Sequence, residues 1–191
     1  MLKLAPGVDH ALIPAGAEAE WVSVDGDVVE AAFWCGPLAR VPRRACLLPG
    51  GVTLSGSGTV GAPVGPVRDY VYDPDGAVVR AHLVAEFAST VDGTLADPRI
   101  AYVYADAPKA TPYARCYRVR ESLPLSVKRL RAALRERGVG RLTIKKRGSA
   151  LEPERLRRDL RLAGPNEATL ILTRVADAPT VLLVSPLGAA G

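Results

Sequence analysis

Aromatic residues and histidine are scarce in this chain, which has two Trp, two Phe, six Tyr and two His among 191 residues. So few rings, mostly outside the C-terminal third, cannot build the stacking platform by which single-strand binders hold bases. The sequence also lacks a Ser-His-Asp order, a Gly-x-Ser-x-Gly elbow and any His/Cys/Asp cluster at metal-ligand spacing. Catalysis by this chain alone therefore finds little support. His82 reads as a partly buried structural imidazole inside a helix. Cys35, Cys46 and Cys116 are an odd number with no Cys-x-x-Cys pair, so buried reduced thiols are expected, although Cys35 and Cys46 are placed to face each other across a hairpin. No apolar run approaches the roughly 18 residues of a membrane span, and residues 168–184 are interrupted by Arg174 and Asp177. The opening MLKLAPGVDHALIP has one lysine and a proline too early for a signal peptide. These absences make the cytoplasm the expected compartment, with neither membrane nor metal as a partner.

What is present is enough apolar material for a core, 48% of the residues, and a charge of +5 with an uneven distribution. Residues 120–191 hold 15 Lys and Arg against 7 Asp and Glu, a net +8, while residues 1–119 hold 10 against 13, a net −3. Sign asymmetry of this kind is the electrostatic footprint of a polyanion-binding module. Of the 25 cations 20 are Arg, which a uniform compositional bias also produces, but such a bias does not explain clustering in one region.

The basic region has the clearest pattern. Arg141 to Lys146 alternates as a strand, with Leu142 and Ile144 on one side. Arg147-Gly148 ends it. Glu152-Pro153-Glu154 opens a helix with proline in its first turn and acid near the positive end of its dipole, Leu156 and Leu160 form its apolar stripe, and Arg157, Arg158 and Arg161 gather at its other end. Two β-rich runs follow, 168–175 and 180–184, so the expectation is a compact β-α-β-β unit. Just before it, Ser126 caps a helix over 127–137 that buries Val127, Leu130 and Leu134, carries Lys128, Arg131 and Arg135 on another face, and ends at Gly138. The candidate nucleic-acid-binding residues are Lys128, Arg131, Arg135, Arg141, Lys145, Lys146, Arg147, Arg157, Arg158 and Arg161.

Upstream, residues 2–4 read as a short strand with no obvious neighbour. Residues 20–25 and 28–35 read as a hairpin around Asp25-Gly26-Asp27, though 28–32 suits a short helix equally. A second hairpin is expected from Arg43 to Leu54 around Pro49-Gly50-Gly51, which makes the first 56 residues strand-rich with few helices to cover a sheet. Residues 55–66, SGSGTVGAPVGP, read as a linker. Asp73-Pro74-Asp75 then caps one amphipathic helix from Pro74 to Val91, with Val79, Leu83, Val84 and Phe87 inward. Residues 100–104 and 113–119 read as strands.

The runs GRLTIKKRG, PERLRRDLRL and EATLILTRV, in that order and spacing, resemble the THUMP-like domain at the C-terminus of a family of bacterial methyltransferase-like proteins. LKLAPGVDHALIP with AEAEWVSVDGDVVEAAFWCGPLAR is similar to the second half of the catalytic domain in that family. YVYDPDGAVVRAHLVAEFASTVDGTLADPRIAYVYAD resembles the ferredoxin-like segment between the two. The resemblance implies an α/β (α+β) chain: a strand-rich remnant of a Rossmann-like methyltransferase sheet at 1–56, a linker at 57–66, a ferredoxin-like segment at 67–122, a THUMP-like domain at 123–186 and a tail at 187–191. It also implies S-adenosylmethionine as cofactor of the full-length family. In this chain no glycine-rich strand-to-helix turn stands ready to bind it, so no cofactor is expected here. The chain is thus expected to be the C-terminal half of a larger enzyme, inactive alone, and His10 to border a site formed with the N-terminal catalytic half.

Two functions follow. In one, the chain positions structured RNA, tRNA or rRNA, for that catalytic half. In the other it is a structural or protein-interaction module whose basic face packs on an acidic partner or on its own catalytic half.

Overall fold

The computed structural model describes residues 1–187, so the tail expected at 187–191 lies outside the described residues from 188 onward. The chain opens with five strands, β1 (Leu2–Leu4), β2 (Glu18–Val24), β3 (Asp27–Trp34), β4 (Arg43–Leu48) and β5 (Val52–Gly56). Strand β6 (Tyr70–Pro74) leads into helices α1 (Gly76–Arg80) and α2 (Val84–Thr90), followed by strands β7 (Thr94–Leu95), β8 (Val103–Ala105) and β9 (Ala114–Pro124). Helix α3 (Val127–Glu136), strand β10 (Val139–Lys146), helix α4 (Pro153–Leu160) and strands β11 (Asn166–Val175) and β12 (Ala178–Pro186) complete a mixed α/β fold with two sheets. Residues 57–66, expected as a linker, carry no helix or strand beyond a single bridge from Val64 to Leu95.

Two compact units result. The first comprises Met1–Pro63, Asp73–Thr94 and Lys109–Arg115, and the second Val64–Tyr72, Leu95–Pro108 and the chain from Cys116 on. Residues 67–122 are therefore shared between the two. The reason is apolar cover: α1 and α2 bury Ala77, Val78, Ala85, Phe87 and Ala88, and a strand-rich N-terminal sheet with no helices of its own needs such a layer. Accordingly, α1 packs on β2, β3 and β4, and α2 on β5.

The first sheet runs β1-β3-β2-β4-β5, with only the β2–β4 pair parallel. Both expected hairpins are present, and residues 28–32 lie in β3, where backbone pairing with β2 from Ser23 to Glu20 holds them extended. Strand β1 does have a neighbour: Leu2 to Leu4 pair antiparallel with Phe33 to Ala31. Since β2 lies between β3 and β4, Cys35 and Cys46 do not face each other across a hairpin. Nor are the cysteines buried: Cys35 is exposed, and Cys46 and Cys116 are intermediate. Glu18, 1% exposed, accepts from the amides of Arg40 at 2.8 Å and Val41 at 3.2 Å and pairs with Arg44 at 2.8 Å.

The single helix expected over 74–91 is two. Asp73 and Pro74 remain in β6, and Asp75 is the cap that is used, its carboxylate accepting from the Ala77 amide at 2.8 Å. The helix is then interrupted at His82, which takes a left-handed backbone with φ of 60°. That break rotates Leu83 to 0% exposure and leaves His82 exposed outside any helix, which overturns its expected place on a partly buried helical face.

The second sheet runs β10-β11-β12-β9-β6-β8-β7. Its C-terminal part is the expected β-α-β-β unit: β10 and β11 are parallel, joined through α4, and β11 returns as β12 through Ala176-Asp177, both at positive φ. One side of the sheet buries Leu130 and Leu134 of α3 and Leu156 and Leu160 of α4 against Leu170, Leu172 and Val181. The other buries Tyr102, Tyr104 and Tyr117 with Ile171, Leu182 and Val184. Strand β10 approaches the segment before β11 so closely that a Cβ on Gly140 would lie 1.8 Å from the Gly164 carbonyl oxygen, so only glycine fits. Asp97, 1% exposed, accepts from the amides of Arg99 at 3.0 Å and Asp177 at 3.3 Å, and the Arg99 amide and guanidinium hold its carboxyl below the usual range.

Candidate nucleic-acid interface

Ser126 opens α3, its hydroxyl accepting from the Arg129 amide at 3.5 Å, and burial of Leu130 and Leu134 turns Lys128, Arg131 and Arg135 away from the core. In α4 the burial of Leu156 and Leu160 leaves Arg157 and Arg158 outward, and Arg161 forms the C-cap in a left-handed conformation with φ of 49°. The two helices meet through their charges as well as their leucines. Arg131 donates to the Asp159 carbonyl, and Arg135 donates to the Arg161 carbonyl at 3.2 Å. Both guanidiniums thus satisfy the carbonyl end of α4, where a helix has free acceptors and negative potential. Arg157 donates to the Leu142 carbonyl at 3.0 Å and pairs with Glu154.

Strand β10 divides the remaining candidates. Leu142 and Ile144 pack against the helix-side core, so strand alternation places Arg141, Thr143 and Lys145 on the opposite side of the sheet. There the Lys145 ammonium lies 5.7 Å from the centroid of the Tyr117 ring and the Arg147 guanidinium 5.5 Å from that of Tyr102, both within cation–π range. Arg141 pairs with Glu167 at 2.6 Å. Lys146, on the helix side, pairs with Glu152. The ten candidates are therefore not gathered on one surface, as the clustering in sequence suggests: period-2 geometry sends Arg141 and Lys145 away from the helices.

Lys128, Arg158 and Arg161 have side chains with neither a hydrogen bond nor an ion pair among the described residues. Of the acid pairs, that of Arg141 with Glu167 is open to water, at 73% and 69% side-chain exposure. Exposed pairs contribute about 0–1 kcal/mol, so a phosphate can displace the carboxylate at little cost. A hollow of about 450 Å³ lies on the helix-free side, lined by Arg141, Thr143, Glu167, Thr169 and Pro186 among others. Sequence reasoning missed Arg118 and Arg120, both exposed on β9, the latter donating to Ser185 Oγ at 3.0 Å. The alternation in YARCYRVRE is the signal that points to them. The strand that carries them, β9, runs to Pro124, past the expected boundary between residues 122 and 123.

S-adenosylmethionine does not fit the residues present. The strand-to-helix turn between β6 and α1 has its Ala77 amide taken by Asp75, and a Cβ on Gly76 would meet Val28 Cγ2 at 2.5 Å, so the glycine faces protein and not a ligand. Helix α1 has five residues. No group of three metal-ligating side chains occurs among the described residues, and none of their helices is long and apolar enough to cross a membrane.

Residues 114–186 match the model of the family described as THUMP domain-like, which begins with β9. Over 180 residues, 92% of the chain, the sequence is 35% identical to an uncharacterized S-adenosylmethionine-dependent methyltransferase of Mycobacterium tuberculosis, in both strain CDC 1551 / Oshkosh and strain H37Rv. The chain spans about half the length of these relatives, 50%. It also resembles the fold of a crystal structure from Porphyromonas gingivalis W83, a protein provisionally assigned as a methyltransferase, with a TM-score of 0.78 and 21% identity over 97% of this chain and 50% of that one. The chain is thus a methyltransferase-like protein that carries a THUMP-like domain over residues 114–186.

Proposed function

We propose that this chain holds structured RNA for a methyl transfer performed by residues outside it, in the half of its relatives that it does not span. S-adenosylmethionine would supply the methyl group there. The observation that carries the reading is the excess of solvent-exposed cations on the THUMP-like domain, among them Lys128, Arg158 and Arg161 with no ion pair among the described residues and Arg141 in a pair that water already screens. Such groups bind phosphates without choosing a sequence, which suits recognition of an RNA shape. Arg131 and Arg135, engaged at the end of α4, hold the helix pair in place, while in this reading the backbone contacts come from Lys128, Arg158, Arg161, Arg118 and Arg120 and from the run Lys145 to Arg147.

Binding of tRNA or an rRNA fragment, followed by fluorescence anisotropy across a salt series, tests this. The affinity is expected to fall by orders of magnitude between about 50 and 200 mM salt, and alanine at Lys145, Lys146 and Arg147 together to weaken it. Affinity that ignores salt, or an acidic protein that binds where RNA does not, would refute the reading in favour of a protein-interaction module.

A further inference from the structure

We infer that the first unit contains a binding site for a phosphate group, in the hollow of about 500 Å³ lined by His10, Arg40 and Arg43 together with small and apolar residues. None of the lining residues is acidic. Carboxylates of the same unit are engaged elsewhere: Asp9 accepts from the Ala11 amide at 2.9 Å, Glu18 takes the Arg40 and Val41 amides and Arg44, and Glu86 accepts from the Gly58 amide at 3.2 Å. Two arginines and an imidazole therefore face the hollow without a counter-charge from its walls.

The hydrogen-bond pattern points the same way. Arg43 donates from Nη1 to the Pro42 carbonyl at 3.0 Å, but its Nε is buried and has no partner. The Nδ1 of His10 is also buried and unpartnered. Both atoms are closed off from solvent, so a ligand in the hollow meets the remaining nitrogens of the Arg43 and Arg40 guanidiniums, neither of which pairs with a carboxylate among the described residues. The His10 ring is sandwiched, 4.8 Å from Trp21 and 4.0 Å from His82 between centroids, at interplanar angles of 17° and 15°. With both faces covered, Nδ1 closed off from solvent and the ring hydrogen-bonded to the Arg80 backbone, the imidazole is a fixed wall of the hollow whose protonation responds to charge placed beside it. The stack also fixes the ring without a hydrogen bond at Nδ1. Trp21 is in turn anchored by donating from Nε1 to the Pro6 carbonyl at 3.1 Å.

Burial holds the His10 imidazole below its ordinary value, helped by His82 and the Arg43 guanidinium and opposed by an Arg80 backbone group and by Asp9. A phosphate in the hollow reverses that balance, since an adjacent anion favours the imidazolium. Two arginines with no acidic residue in the lining suit the anionic oxygens of a phosphate, and the volume admits a mononucleotide. The phosphate belongs either to a free nucleotide or to the backbone of an RNA strand.

The chain has two histidines, both in this unit, so their Cε1–H signals in proton NMR report on this stack alone. Titration of the full chain with inorganic phosphate, 5′-AMP and a short single-stranded RNA is expected to move the His10 signal saturably and to raise its pH midpoint. Response to AMP identifies the free monoester as the source; response to RNA alone identifies the strand. Arg40→Ala, at an exposed position, should weaken the effective probe about tenfold, as loss of a charge-assisted hydrogen bond does, and leave RNA binding by the THUMP-like domain intact. Arg43→Gln should do the same; should it unfold, as loss of signal dispersion would show, Arg40→Ala decides alone. A flat titration with all three probes at millimolar concentration, or an Arg40→Ala variant that binds as tightly as the parent, overturns the proposal.

Discussion

In the first unit the Glu18 carboxylate, 1% exposed, is locked between two backbone amides and Arg44, and Glu20 accepts from the Trp34 indole at 2.9 Å. In the second unit Arg141 and Glu167 pair with each other at 73% and 69% exposure, and Lys128, Arg158 and Arg161 have no ion pair among the described residues. The same chemical groups thus play opposite parts. Charges withdrawn from water at the N-terminal sheet fasten that sheet to its own loop, whereas charges left in water on the C-terminal helices and strands remain available to a ligand.

The sharpest way to break this comparison is to remove the buried acid. Glu18→Ala strands Arg44 and two backbone amides and is expected to destabilise the first unit by about 3–5 kcal/mol, read as a shift in urea midpoint; a loss no larger than that of an exposed acid such as Glu167 would erase the contrast. Next is Gly140→Ala in the second unit, whose Cβ would meet the Gly164 carbonyl oxygen at 1.8 Å. A cost of about 3 kcal/mol is expected, showing that β10 and the segment before β11 depend on close backbone packing. Smaller in stability but larger in function, a Lys128, Arg158 and Arg161 triple alanine should leave the urea midpoint within about 0.5 kcal/mol of the parent. It should also flatten the salt dependence of RNA binding by about one unit of log–log slope per lost phosphate contact.

The pH response offers a gentler test. The His10 imidazole has a lowered value in the folded state, so the unfolded chain takes up its proton first as pH falls below the ordinary 6.5. Its contribution to stability is therefore present above that pH and lost below it, and His10→Asn should flatten the profile of the first unit in thermal melts between pH 7 and 5. The smallest effect is expected from Cys35→Ser, an exposed thiol with no disulfide; within about 0.5 kcal/mol is the expected change.

The C-terminal unit was legible because its signals are local. Ser126, Gly138 and Pro153 mark helix ends within a few residues of the leucines they serve, and the observed α3 and α4 match those marks. The break at His82 was not legible, because Val79, Leu83, Val84 and Phe87 satisfy one continuous helix as well as they satisfy two short ones. Asp73-Pro74 and Asp75-Gly76 were equally good caps by sequence. Pairing of Asp73 and Pro74 in β6 selected the second.

From residue types and their spacing alone came the strand-rich first 56 residues, the β-α-β-β unit and the concentration of cations after residue 120. All are properties of neighbours along the chain. Which cations share a surface, which strand accepts β1, which sheet α1 and α2 cover and that His10 and His82 stack were settled only by the folded structure. Those depend on partners tens of residues apart, where β-sheet register and burial, not local propensity, determine which side chains meet.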